Sequence, residues 1–199
     1  MTTKIGVIAI QGNVDEHVIA LEKTLAERRE KAEVVKIKHR GIVKSCDAIV
    51  IPGGESTTIG KLMEREGISP EIQEAATDEI PILGTCAGLV LLAKEGDEKV
   101  AMTGQPLLGL MDIKVKRNAF GRQRESFEAL LKLSFLNKPF HAVFIRAPAI
   151  TDATDQVEVL ATFEGHIVAA KQRNIFALSF HPELTDDRRI HHYFLESCK

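Results

Sequence analysis

Two clusters in this 199-residue chain combine residue types that could carry out acyl transfer. The first is Gly84-Thr85-Cys86-Ala87-Gly88, a cysteine framed by small residues between an apolar stretch, Ile80 to Leu83, and a breaker-free stretch, Leu89 to Ala93. A strand–turn–helix junction of this kind must be tight, and small residues let the backbone pass close by. It leaves the sulfur at the first turn of a helix, where unpaired N–H groups and the positive dipole end favour a thiolate. The second cluster is His181-Pro182-Glu183, which follows the apolar run Ile175 to Phe180. In extended backbone, residues two apart face the same side, so Glu183 can stand beside the His181 imidazole. A carboxylate bonded to one ring nitrogen leaves the other free to act as a base. Each cluster alone has an ordinary explanation: a buried cysteine behaving as a small hydrophobe, or a helix-entry turn with a surface histidine. Together, at strand ends of one sheet, they form the parts of a Cys86–His181–Glu183 relay. Such a site also needs donors for an oxyanion. The N–H of Ala87 and a glycine loop, Gly53-Gly54, are placed to supply them.

The elements that must hold these clusters follow from hydrophobic patterning. Lys4 to Gln11 is a near-continuous apolar, β-branched run, as in a strand covered on both faces. Val14, Val18, Leu21 and Leu25 recur at helical spacing. Glu33 to Ile37, Ala48 to Ile51 and Ile80 to Leu83 are further predicted strands, separated by helices over Thr57 to Glu66 and Pro70 to Thr77. That order predicts an α/β fold: a mostly parallel central sheet with helices on both faces. Ligands of such sheets sit beyond the carboxyl ends of the strands, where Gln11-Gly12-Asn13, Gly53-Gly54 and the Cys86 turn all fall. In the second half, Asp112 to Lys116, Phe127 to Leu133, Phe140 to Ile145, Val157 to Phe163, His166 to Lys171 and Ile175 to Phe180 are strand-like. They predict added antiparallel hairpins, with Glu164-Gly165 as a tight turn and Lys171 to Asn174 as a polar one. Asp186-Asp187 can cap a final helix through Arg188 to Cys198. One domain over 1–199 is expected.

Composition narrows the function class. The chain is 44% hydrophobic and 27% charged with a formal net charge of −2, which gives no electrostatic reason to bind nucleic acid or an anionic membrane. Its longest apolar run, Ile80 to Ala93, is too short for a bilayer and contains Pro81. The N-terminus lacks the apolar core of a signal peptide, so a cytoplasmic protein is expected. Cys46, Cys86 and Cys198 are an odd number at unrelated spacings, neither a disulfide framework nor a metal site. No metal and no cofactor are expected. His17, His39, His141 and His166 show no partner pattern, and the adjacent His191-His192 pair is expected at an exposed helix face.

The cysteine turn and His181-Pro182-Glu183 resemble the class I glutamine amidotransferases, whose flavodoxin-like three-layer fold agrees with the element order. Several stretches narrow the resemblance: Pro52-Gly53-Gly54-Glu55-Ser56-Thr57-Thr58, Arg117 to Gln123, Ser126-Phe127-Glu128, Val143 to Pro148 and Ser179 to Thr185. They are similar to the glutaminase subunits of pyridoxal 5′-phosphate synthases, from about Lys4 to the final helix. The resemblance implies that Cys86 is a nucleophile, His181 its base and acid, and Glu183 the orienting carboxylate. It implies that Gly54, Glu55, Ser56, Arg117, Ile145 and Arg146 contact L-glutamine, and that Gln11 lies near the oxyanion loop and responds to a partner. An arginine is the expected partner of the substrate α-carboxylate. Ala119 stands where the family commonly has serine, and touches no proposed role. The implied partner is the ring-forming (PdxS-type) synthase subunit, in a hetero-oligomer that uses the released ammonia. On the residues alone two other readings stay open: a glutaminase serving a different synthase, and a non-catalytic module of the same fold.

Overall fold

The computed structural model describes residues 2–121 and 125–198, so Arg122 and Gln123 of the resemblance motif lie outside the described residues. The first half follows strand–helix alternation: β1 (Thr3–Ile8), α1 (Val14–Arg28), β2 (Ala32–Ile37), β3 (Ala48–Ile51), α2 (Ser56–Arg65), α3 (Ile68–Thr77), β4 (Ile82–Thr85) and α4 (Ala87–Leu92). A parallel sheet β2-β1-β3-β4 results, and it continues into β12 (Ile175–Leu178), also parallel to β4. All four residues of β3 are buried and their faces alternate. Ile49 and Ile51 pack with α2, α3 and α4, while Ala48 and Val50 pack with α1 and α6 (Arg189–Glu196). Helices therefore cover both faces, as the element order predicts.

β4 begins at Ile82, two residues later than the apolar run suggests. A central strand needs its N–H groups on both sides, and Pro81 has none to give; instead the Pro81 carbonyl accepts the Ile49 N–H. The strand thus runs to Thr85, and Cys86 is the residue on which the chain turns.

Beyond α4 the chain forms β5 (Ala93–Gly96), α5 (Glu98–Thr103) and β6 (Met111–Lys116), then the hairpin β7 (Ser126–Leu131) and β8 (Phe140–Ile145). β9 (Ala149–Ala153), β10 (Glu158–Phe163), β11 (His166–Gln172) and β12 complete the strands. β5, α5 and β9 carry no clear periodicity and are absent from the sequence reading. β9 is nonetheless the bridge that joins β6 to β11, antiparallel to both. The β10–β11 hairpin closes on Glu164 (φ 48°) and Gly165 (φ 79°), the two positive φ values of a primed turn. At the last helix, the capping position falls on Arg188, which makes no side-chain cap bond, so neither predicted aspartate is the cap; Asp187, one residue earlier, accepts the Arg189 N–H. His191 departs from expectation. It is fully buried beneath α6, and only His192 reaches the surface, bonded to Glu27. An eight-residue amphipathic helix cannot expose two adjacent positions equally when it packs on a sheet.

Candidate active site

Register sets the site. Thr85 at the end of β4 pairs with Leu178 at the end of β12, and the Cys86 N–H donates to the Leu178 carbonyl at 2.7 Å. The chain after β12 is caught by its neighbours: Ser179 N–H donates to Val168, and His181 N–H to the Val143 carbonyl of β8. Cys86 and His181 thereby come to the same carboxyl edge of adjacent strands. Cys86 caps α4 with φ 49° and ψ −100°. This sparsely populated conformation costs a non-glycine residue about 1–3 kcal/mol, and such strain collects at functional turns.

The Gly53-Gly54 loop after β3 packs directly onto the pair. A Cβ built on Gly53 would lie 2.4 Å from His181 Cε1 and 3.3 Å from the Cys86 Cβ. Glycine is required there by close approach. The Gly53 carbonyl accepts the Asn13 N–H at 3.0 Å, which turns the Gly54 N–H of the same planar peptide the opposite way. Gln11 Oε1 accepts the Glu55 N–H at 3.0 Å and so ties the loop after β1 to the glycine loop.

A cleft of about 250 Å³ opens at this edge. Its lining brings together Gln11, Gly54, Glu55, Ser56, Cys86, Ala87, Arg117, Ile145, Arg146 and His181, every candidate residue except Glu183, along with Asn13. Glu183 stands behind the imidazole, its Oε1 2.7 Å from His181 Nδ1. Both side chains are almost wholly buried. Because His181 Nδ1–H donates to Glu183, the productive bond of the Asn13 amide is the one its Nδ2 donates to Glu183 Oε1, at 3.2 Å. Among the described residues, His181 Nε2 is buried without a hydrogen-bond partner. The Cys86 thiol donates to the Ile145 carbonyl at 3.7 Å.

Electrostatics separate these groups. Burial works against charge on His181, but the adjoining Cys86 sulfur and the Glu183 carboxylate outweigh it and raise its pKa to about 10. Burial likewise pushes Glu183 up, and the facing imidazoles of His17 and His181 bring it down to about 2. At the far end of the cleft, partial burial pushes the Glu55 carboxyl up. Hydrogen bonds from Thr58 and Thr57 reverse that, to about 2. Glu55 also caps α2 and accepts from Arg117 Nη2 at 3.1 Å. Arg117 Nη1 donates to Thr57 and Gln105.

Sequence reasoning missed part of this arrangement. Asn13 and Thr57 lie in stretches the sequence did single out, but their side-chain bracing of the named residues was not foreseen, and Gln105 was not singled out at all. His17, expected to be without a partner, is fully buried with Nε2 3.0 Å from Thr85 Oγ1 and 3.4 Å from Glu183 Oε2. Its position one turn before Leu21 on the apolar face of α1 was the available signal.

Known proteins place these features in context. The profile of the SNO glutamine amidotransferase family matches residues 7–199. The chain is 64% identical over 193 residues to the pyridoxal 5′-phosphate synthase subunit PdxT of Methanococcoides burtonii, spanning 97% of this chain and 98% of that protein. It is 51% identical over 201 residues to the PdxT subunit of Methanopyrus kandleri, spanning 97% and 98%. A solved glutamine amidotransferase superposes with a TM-score of 0.86 at 42% identity over 98% of both chains. PurLQS from Thermotoga maritima matches over the whole of both chains with a TM-score of 0.72 at 18% identity, a likeness of fold.

Proposed function

The chain belongs to the SNO glutamine amidotransferase family, and from that premise we propose that it is the glutaminase subunit of a pyridoxal 5′-phosphate synthase. It hydrolyses L-glutamine to L-glutamate and hands the ammonia to a ring-forming synthase subunit in a cytoplasmic hetero-oligomer. Residues 1–199 act as one glutaminase unit. One observation carries the reading: His181 shares a cleft with Cys86 while its Nδ1 is held by Glu183 at 2.7 Å and its buried Nε2 is left open.

Glutamine enters with its α-carboxylate toward Arg117 and its side-chain amide toward Cys86. The Cys86 thiolate attacks the amide carbon, forming a C–S bond as the carbonyl π electrons move onto oxygen. The Gly54 and Ala87 N–H groups donate hydrogen bonds to the developing oxyanion. Collapse breaks the C–N bond, and His181 Nε2 gives its proton to the departing nitrogen, releasing ammonia and leaving a glutamyl thioester. The same nitrogen then takes a proton from water, whose oxygen attacks the thioester; the second collapse expels the thiolate and frees glutamate. Glu183 holds the imidazole throughout. Glu55, Ser56, Ile145 and Arg146 complete the substrate cleft, and Gln11, tied to the Glu55 N–H, links that loop to partner binding.

Glutamate release is to be measured with and without the synthase subunit. Cys86→Ala is expected to abolish it, with His181→Asn nearly as severe, because residues of a relay fail as a unit. Activation by the synthase and ammonia-dependent pyridoxal phosphate formation are expected. Undiminished turnover in Cys86→Ala refutes the assignment.

A further inference from the structure

A buried polar cluster lies behind Glu183, away from the cleft. His17 projects from α1, Thr85 ends β4, and His191 projects from α6; all three are fully buried. His17 Nε2 is 3.0 Å from Thr85 Oγ1 and 3.4 Å from Glu183 Oε2. The His191 ring stands edge-on to His17, with centroids 6.5 Å apart. The two carboxylate oxygens of Glu183 are unequally served. Oε1 receives His181 and Asn13, whereas Oε2 has no hydrogen bond among the described residues and faces the His17 edge at 3.4 Å. A buried carboxylate oxygen with no donor is costly. The tautomer of His17 follows: a ring lone pair aimed at an anionic oxygen would repel it, so Nε2 carries the hydrogen and Thr85 Oγ1 accepts it.

We propose that His17 is a positioning residue for the relay, one that presents its Nε2–H edge to the distal oxygen of Glu183 and so keeps the proximal oxygen on His181. His17 does not line the cleft and so has no direct means of changing glutamine binding. Without it, Oε2 loses the polarised N–H edge that stands 3.4 Å away. Glu183 then either takes up a proton or turns to find another partner, and in both cases the His181 imidazolium loses its support. The groups facing this unit are few. Cys86 and Glu183 face His181; His17 and His181 face Glu183, with His191 behind. Glu16 on α1, Arg188 at the N-cap of α6 and His192 on α6 act from farther out and are left untouched by the variants.

The inference rests on the glutaminase reading, and one experiment separates the two. Glutamate release by the complex with the synthase subunit is measured against pH and glutamine concentration for the wild type, His17→Leu and His17→Gln. No release by the wild type sinks the glutaminase reading itself. With that reading standing, His17→Leu is expected to lower kcat by about tenfold or more, as loss of an orienting outer partner does elsewhere, with KM within about twofold. The basic limb of kcat/KM, which reports the imidazolium proton, should move to lower pH. His17→Gln, whose amide nitrogen can occupy the Nε2 position, should restore most of both. Wild-type kcat and basic limb in folded His17→Leu overturn the proposal. So does a fall in kcat with an unmoved limb or no rescue by glutamine, which marks His17 as scaffold only. If His17→Leu does not fold, the unbranched His17→Met, which likewise has no N–H to present, replaces it: a lowered kcat with the same limb shift supports the proposal, and a wild-type profile overturns it.

Discussion

Gly53→Ala isolates the contact between the glycine loop and the imidazole. Its added Cβ would lie 2.4 Å from His181 Cε1, where ordinary contact begins at 3.4 Å. One of the two must therefore move by about 1 Å. The ring has little freedom to do so: Glu183 holds Nδ1 at 2.7 Å and the side chain is 4% exposed. Moving the loop instead displaces the Gly54 N–H and disturbs the Gly53 carbonyl's bond to Asn13. Either response misplaces a reacting group by about 1 Å, a shift that can cost on the order of 10²-fold in rate, or about 2.7 kcal/mol of transition-state stabilisation. Gly53 does not occupy the left-handed region, so alanine adds no backbone strain. Overpacking costs about 1–3 kcal/mol, partly offset by the stiffer unfolded chain. The melting temperature should fall by less than roughly 10 °C.

The assay is glutamate release by the complex, with thermal melting alongside. Gly41→Ala is the control: a Cβ there meets nothing within 4 Å, but φ is +93°, so stability should drop while kcat/KM holds. The expected result is kcat/KM down about a hundredfold in a folded Gly53→Ala protein. Activity within about threefold of wild type would show that the loop and the imidazole are not in the close register described.

Arg117→Ala should raise KM for glutamine by about ten- to a hundredfold, the loss of a charge-assisted hydrogen bond of about 1.5–3 kcal/mol, while stability changes little because its pairing with Glu55 is half-exposed; a KM unchanged in steady-state glutamate release rules out Arg117 as the carboxylate's partner. Burial, with a smaller push from His17, holds His191 down at about 3. Its folded pKa lies below the unfolded 6.5, so its neutral form carries full stability above pH 6.5, and that stability is lost as pH falls from 6.5 toward 3. The slope is at most ~1.4 kcal/mol per pH unit. His191→Leu should therefore flatten the fall in urea midpoint between pH 7 and 5, and a slope equal to wild type would show that His191 takes up its proton in the folded state.

Most of the frame was readable because its signals are local. β1, β3 and α2 follow from runs and periods within a few residues, and the Cys86 turn and His181-Pro182-Glu183 each sit whole within one short segment. Ile82 shows the limit of that method: hydropathy counts Pro81 as apolar, whereas pairing on both sides of β4 counts its missing N–H. β9 was invisible because five residues joining two antiparallel neighbours need no distinctive pattern. Asn13 shows a different limit. At the N-terminus of α1 it is placed as a helix cap, yet its side chain makes no cap bond and reaches Glu183 instead. That choice depends on where the single 3-10 turn Pro182–Leu184 lands in space, which α1 alone does not encode.

Three buried histidines meet around one carboxylate, and the sign of each shift decides what the relay is. Burial lowers His17 and His191, so both are neutral at physiological pH. His181 is raised instead because a sulfur and a carboxylate flank it. His17 faces that carboxylate with its Nε2 3.4 Å from Oε2. The countercharge is the His181 imidazolium. With Glu183 negative and His181 positive, the pair buries no net charge, which is the condition under which two ions persist in a dry interior. In the proposed reaction, the proton that departing ammonia needs is then already on the imidazole.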